Sequence, residues 1–176
     1  MGLSLSASKR VKTTLSDSPE FGTACDSAFG HCLSLTEHAF RGVLPYQLST
    51  ASDQIHATLL RNRHPVIIRW VPSPPTRTQV DSALRVVTRR RPKEKKAAEE
   101  EEILLGPAKF KEWAVVLFAE AAVGNAGKAV LARVPIGVAG IVGIGAATRT
   151  GRNLVGAAVG VYALGVATSV YFGLSG

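Results

Sequence analysis

Apolar positions follow two regimes along the chain. Before Arg89 they recur at helical spacing among polar residues, and after Gly106 they run together with few interruptions. In the first regime, Phe21, Ala24, Ala28, Phe29, Cys32, Leu35 and Ala39 trace an amphipathic helix over 21–40. Ser18 suits its N-cap, Glu20 its first turn and Gly42 its stop. A second helix is predicted from Leu48 to Asn62, with Ile55, Leu59 and Leu60 on one side. The β-branched run His64 to Val71 reads as an extended segment, and Pro72 to Pro75 as a rigid turn. Thr78 with Asp81 resembles a capping box opening a third helix through Val87.

In the second regime, Leu154 to Gly176 carries no charged side chain. As a helix it would reach roughly 30 Å, the thickness of a bilayer's hydrocarbon core. A second apolar stretch, Ala129 to Thr148, precedes it, with Arg133 near its start and Pro135 soon after. An arginine so close to an end can snorkel to the interface. Arg149 to Asn153 form a polar connection of the length that joins antiparallel helices, so 129–176 is expected to be a transmembrane helical hairpin. The competing reading is a soluble, fully buried helical pair. Trp113 to Val123 is too short to span; with Pro107 at its start and Trp113 beside two lysines, 107–123 reads as an interfacial helix. A third span with Glu120 turned inward is the alternative.

Glycines stud both stretches. In water each would cost a helix roughly 1 kcal/mol relative to alanine, whereas in lipid small faces let helix backbones approach closely. Gly137, Gly140 and Gly143 on the first stretch, and Gly156, Gly160 and Gly165 on the second, are therefore the expected packing positions, within the hairpin or in a homo-oligomer. The plainer reading is that such residues are simply common in membrane helices.

At the other end, Met1-Gly2-Leu3-Ser4-Leu5-Ser6 fits the N-myristoylation pattern at Gly2, and Lys9, Arg10 and Lys12 follow. One acyl chain binds a bilayer marginally, and basic residues add attraction to anionic lipids. Residues 1–17 are expected to be a flexible segment bearing this site. Because the segment is basic, rich in Ser and free of acid before Asp17, an organelle transit peptide competes with acylation. No apolar core follows the start, which disfavours a secretory signal. Acylation at Gly2 would put the N-terminus in the cytosol, and the basic residues agree, with Lys109, Lys111, Lys128 and Arg133 on the N-terminal side of the hairpin against Arg149 and Arg152 in its loop.

The chain of 176 residues has a net charge of +8. The residues before Glu99 hold 15 basic and 7 acidic side chains, so the polar half is the basic half. That favours an anionic membrane surface over nucleic acid, for which no zinc-finger, RNA-binding or basic-zipper pattern is present. Residues 18–88 read as a small helical cytosolic region and 89–106 as a charged linker; anionic-lipid contact or nuclear import are the sharper readings of its Arg and Lys run. Cys25 and Cys32 lie on one helix face about 10 Å apart, too far for a disulfide, and read as small core residues or a palmitoylation site. His31, His38, His56 and His64 show no recognised metal-ligand spacing. No catalytic residue, cofactor or metal is expected.

Pro45-Tyr46-Gln47-Leu48-Ser49-Thr50-Ala51-Ser52-Asp53-Gln54-Ile55-His56 and Trp70-Val71-Pro72-Ser73-Pro74-Pro75-Thr76-Arg77, with the Gly/Ala-rich tail from Leu105, give the chain its texture. In these it resembles a group of small uncharacterised plant membrane proteins with no established activity. The resemblance implies a plant origin and membrane association, and no functional residue. The expected fold is mainly α, a basic N-terminal helical region followed by a Gly/Ala-rich transmembrane hairpin. The expected function is a non-catalytic membrane-anchored adaptor or assembly protein whose partners are the lipid bilayer and a further protein. The alternative is a small oligomeric pore or transport subunit. The sequence favours a plasma membrane or endomembrane over a plastid or mitochondrial envelope.

Overall fold

The computed structural model describes residues 2–89, 104–147 and 152–173, with side-chain surroundings for 6–89, 104–132 and 157–173. The protein is mainly helical. Helices α1 (Gly2–Asp17), α2 (Pro19–Leu35), α3 (Leu48–Arg61), α4 (Pro65–Trp70) and α5 (Arg77–Arg89) precede a long α6 (Pro107–Ala147) and a final α7 (Arg152–Gly173). Among the described residues the β-structure is a single antiparallel bridge, Val43 to Leu105.

The first half of α6 is the axis of the core. Phe110, Trp113, Ala114, Val116, Leu117, Phe118, Ala119, Ala121, Ala122 and Ala126 are all buried. Apolar residues around nearly the whole circumference require cover on all sides, and α1, α2, α4, α5 and α7 all pack on this helix. Phe21 meets Phe118 edge-on with ring centroids 5.9 Å apart, and Phe110 bridges Phe29 and Trp113 at 5.5 and 5.3 Å. Trp113, expected at a headgroup boundary, instead lies wholly inside the protein, where its Nε1 donates to Val80 O at 3.3 Å. Neighbouring helices supply the apolar surroundings that the sequence pattern assigned to lipid.

α1 corrects the reading of 1–17 as flexible. Ala7, Val11 and Leu15, four residues apart, form a buried stripe against α6. Four-residue spacing keeps one face of a helix on its neighbour, and α2 starts almost at once, at Pro19. Ser18 caps α2 as expected, its Oγ accepting from Phe21 N at 3.2 Å. The helix stops at Leu35, well before Gly42, in a Schellman arrangement. Glu37 takes φ 51°, its N–H reaches Ser34 O at 3.1 Å, and His38 N–H reaches Leu33 O at 3.0 Å. Gly42 serves a different end: a Cβ there would lie 2.8 Å from Leu105 O, so its bare backbone permits the Val43–Leu105 bridge.

Residues 65–70 form helix α4 rather than the expected extended segment. Pro65 occupies the first turn, where its missing N–H is harmless, and the helical turn buries Val66, Ile67 and Trp70 together. Burial here outweighs the weak β preference of the Val-Ile-Ile run. The capping box of α5 is also displaced by two residues: Thr76 N donates to Gln79 Oε1 at 2.8 Å and Gln79 N to Thr76 Oγ1 at 3.4 Å, rather than a pairing of Thr78 with Asp81.

The separation of 107–123 from 129–176 also gives way, because α6 runs without interruption through Gly124, Asn125 and Gly127. Asn125 Nδ2 donates to Trp70 O at 2.8 Å and Ala126 is buried just beyond it. These tertiary contacts sustain the helix where two glycines would each cost about 1 kcal/mol. Most of the charged linker lies outside the described residues.

Candidate functional site

The chain holds two candidate kinds of chemistry, nucleophilic cysteine and surface recognition, and the geometry separates them. Cys25 and Cys32 are both buried and unbridged on α2. Burial pushes the Cys25 thiol up to about 12, against the opposing pull of the Lys111 ammonium, and raises the Cys32 thiol too. A thiol so protonated is a poor nucleophile. His31 and His38 are exposed on and just after α2, whereas His56 Nε2 bonds with Val71 O at 2.8 Å. Among the described residues no three His, Cys, Asp or Glu side chains converge as metal ligands would.

The surface of the two final helices is more distinctive. Leu131 on α6 and Val161, Leu164 and Phe172 on α7 are 74, 72, 68 and 62% exposed. Gly160 and Gly165 lie among them, and a Cβ on either would meet no atom within 4 Å. Within one chain these expected packing glycines therefore face open space. Gly165 also lines a shallow hollow of about 260 Å³ with Tyr162, Val166 and Ser169. The surroundings of Gly137, Gly140, Gly143 and Gly156 fall outside the described residues. Pro107–Ala132 is a stretch long and apolar enough to cross a membrane, but half of its most apolar window is buried inside the protein.

The last turn of α7 meets α1 and α4 in a cluster of aromatic and cationic side chains. Arg10 stacks over Tyr171 at 4.6 Å and over Phe172 at 5.9 Å, and Ser6 Oγ lies 3.0 Å from the Tyr171 hydroxyl. Trp70 Nε1 donates to Gly173 O at 2.9 Å. Arg69 stacks on Trp70 at 5.3 Å, and a Cβ on Gly173 would lie 2.9 Å from its guanidinium carbon. A cation at a helix C-terminus is favourably placed against the helix dipole. Sequence reasoning grouped Arg10 with the basic N-terminus and missed its partners. The one available signal was the Tyr171-Phe172 pair near the end of a charge-free run. Gly2 begins α1, one turn before Ser6.

Comparison with protein-family models, with curated proteins and with solved structures gives no match.

Proposed function

We propose that this protein is a non-catalytic, membrane-anchored adaptor, in which a compact helical domain is held at a bilayer by the second half of α6 and by α7, inserted as an antiparallel hairpin. The observation that carries this reading is the exposed apolar surface of Leu131, Val161, Leu164 and Phe172 on helices that the domain does not cover. In water large apolar side chains exposed to this degree are unfavourable, and their clustering on the two final helices suits an interaction site.

Helix lengths support it. Asn125 and Gly173 both bond to Trp70, which sets them at one level, while Ala147 and Arg152 are joined at the other end by a short connection. The two arms between those levels are each about 31 to 33 Å long at 1.5 Å per residue, close to the hydrocarbon thickness of a bilayer. Arg69, Trp70, Arg10 and Tyr171 then stand at one boundary, and the start of α7 at Arg152 at the other, where basic and aromatic residues are favoured. The resemblance to plant membrane proteins points the same way. Acylation at Gly2 would add a lipid on the domain side of the bilayer, in the cytosol. Exposed Leu35, Phe40, Tyr46 and Leu104 offer the domain a surface for a protein partner.

Alkaline carbonate extraction of membranes carrying the full chain tests the anchor. Retention in the pellet is expected, and release into the supernatant would overturn the inserted hairpin. Gly2→Ala is expected to leave the protein in the pellet while changing which membrane it reaches.

A further inference from the structure

We propose that the turn between α3 and α4, with the outer face of α4, is a docking surface for an anionic bilayer, toward which Arg61 and Arg63 draw the domain and on which Leu60 and Ile68 rest. The choice of a bilayer as occupant rests on the membrane-anchored reading; the charge and apolar exposure of the face do not. Leu60 and Ile68 are 43 and 48% exposed, and Arg61 and Arg63, between them in the chain, are exposed as well. From Gln54 to Val80 the chain has no Asp or Glu, while Arg61, Arg63, Arg69 and Arg77 carry charges that do not titrate in the physiological range.

Helix packing sets the height of this face above the hairpin. α2 runs antiparallel to α6, because Phe21 meets Phe118 and Phe29 meets Phe110. α3 returns along α2: Gln47, just ahead of it, donates from Nε2 to Cys32 O at 2.9 Å, and His64, just past it, feels the Glu20 carboxylate in the first turn of α2. The α3–α4 turn therefore stands near the level of Phe118, roughly 10 Å along α6 from Asn125. α4 descends across that distance to Trp70, which bonds to Asn125 and Gly173 where the two arms of the hairpin begin. Arginines at that height act on lipid charge within about one Debye length, and exposed aliphatic side chains beside them suit the interfacial layer. Arg69 is already engaged with the Trp70 ring and the end of α7, so the attraction is assigned to Arg61 and Arg63. Glu20 approaches the turn from α2, but one carboxylate against two guanidinium groups leaves the field positive.

The test uses the full chain with Ile68→Cys carrying an environment-sensitive fluorophore, in lipid nanodiscs of phosphatidylcholine with and without phosphatidylserine. The native cysteines are buried and stay unlabelled. His31→Cys, exposed toward the far end of α2, is the control. Phosphatidylserine is expected to shift the emission at residue 68 to the blue, reversibly with high salt, and to leave residue 31 unchanged. Adding Arg61→Gln and Arg63→Gln should remove most of the shift, and both positions are exposed, so the fold is kept. No response to phosphatidylserine, or the same response without the two arginines, overturns the proposal. Soluble polyglutamate producing the same shift in phosphatidylcholine discs would assign the face to an acidic protein and overturn the lipid. Carbonate extraction reads the hairpin separately: retention in the pellet with no shift removes this face alone, whereas release with the shift intact removes the hairpin alone.

Discussion

Single residues carry strain and charge that can be measured directly. Arg63 closes α3 at φ 54°, with its N–H on Leu60 O at 3.1 Å and His64 N–H on Leu59 O at 3.0 Å. This is the left-handed position of a Schellman cap, where a side chain costs about 1–2 kcal/mol and glycine is the usual occupant. Arg63→Gly is therefore expected to stabilise the domain by roughly 0.5–1 kcal/mol once the glycine's larger unfolded entropy is set against the relief. A higher midpoint in urea would show it. The next residue, His64, is buried with Nδ1 lacking a hydrogen-bond partner among the described residues. Burial lowers its imidazole below the ordinary 6.5, and the Glu20 carboxylate opposes the shift in part. The unfolded chain then takes up the proton at higher pH than the folded one, so stability falls as the pH drops below about 6.5 and the loss is complete below the folded value. Thermal melts across that window should show the decline, and His64→Gln should flatten it.

At the scale of elements, the question is which helices depend on packing. α1 is the clearest case, because its pattern of Ala7, Val11 and Leu15 is sparse and its composition is that of a polar tail. If α1 were loosely attached, truncating Leu15 would be silent. Its complete burial instead predicts that Leu15→Ala costs about 2–5 kcal/mol, the usual range for a cavity left in a core. Thr13→Ala, two residues earlier on the exposed face, should change stability by less than about 0.5 kcal/mol. Denaturant unfolding of the two variants makes the comparison. α4 shows the same dominance of packing over propensity: three β-branched residues in a row adopt a helix because that geometry brings Val66, Ile67 and Trp70 to the core.

For the whole molecule, the proposed hairpin fixes the placement of its connection. Asn153→Cys should be out of reach of a membrane-impermeant maleimide added from the side of the domain, and labelled when the reagent reaches the other face. The native cysteines serve as an internal control. Cys25 and Cys32 are buried, with Cys25 titrating near 12, so both should stay unmodified until the protein is unfolded. Labelling of Asn153→Cys from the domain side would place the connection on that face and remove the spanning hairpin.

The helical class, the capped start of α2, the helix over Leu48–Arg61 and the cysteines as buried core residues were all legible in the residues, because helix period and capping chemistry are local. The charge-free run before Gly176 was legible for the same reason. What the chain alone left undecided was who covers each apolar face. The run around Trp113 looks identical to bulk lipid and to neighbouring helices, since both are simply apolar surroundings, and the tertiary structure assigned it to a protein core. The same holds for α1, whose short stripe becomes a buried face only when α6 lies beside it, and for Arg10 and Tyr171, far apart in sequence and stacked in space. Sequence set the period and the local signals of each helix; burial, which depends on groups distant along the chain, decided where its faces went.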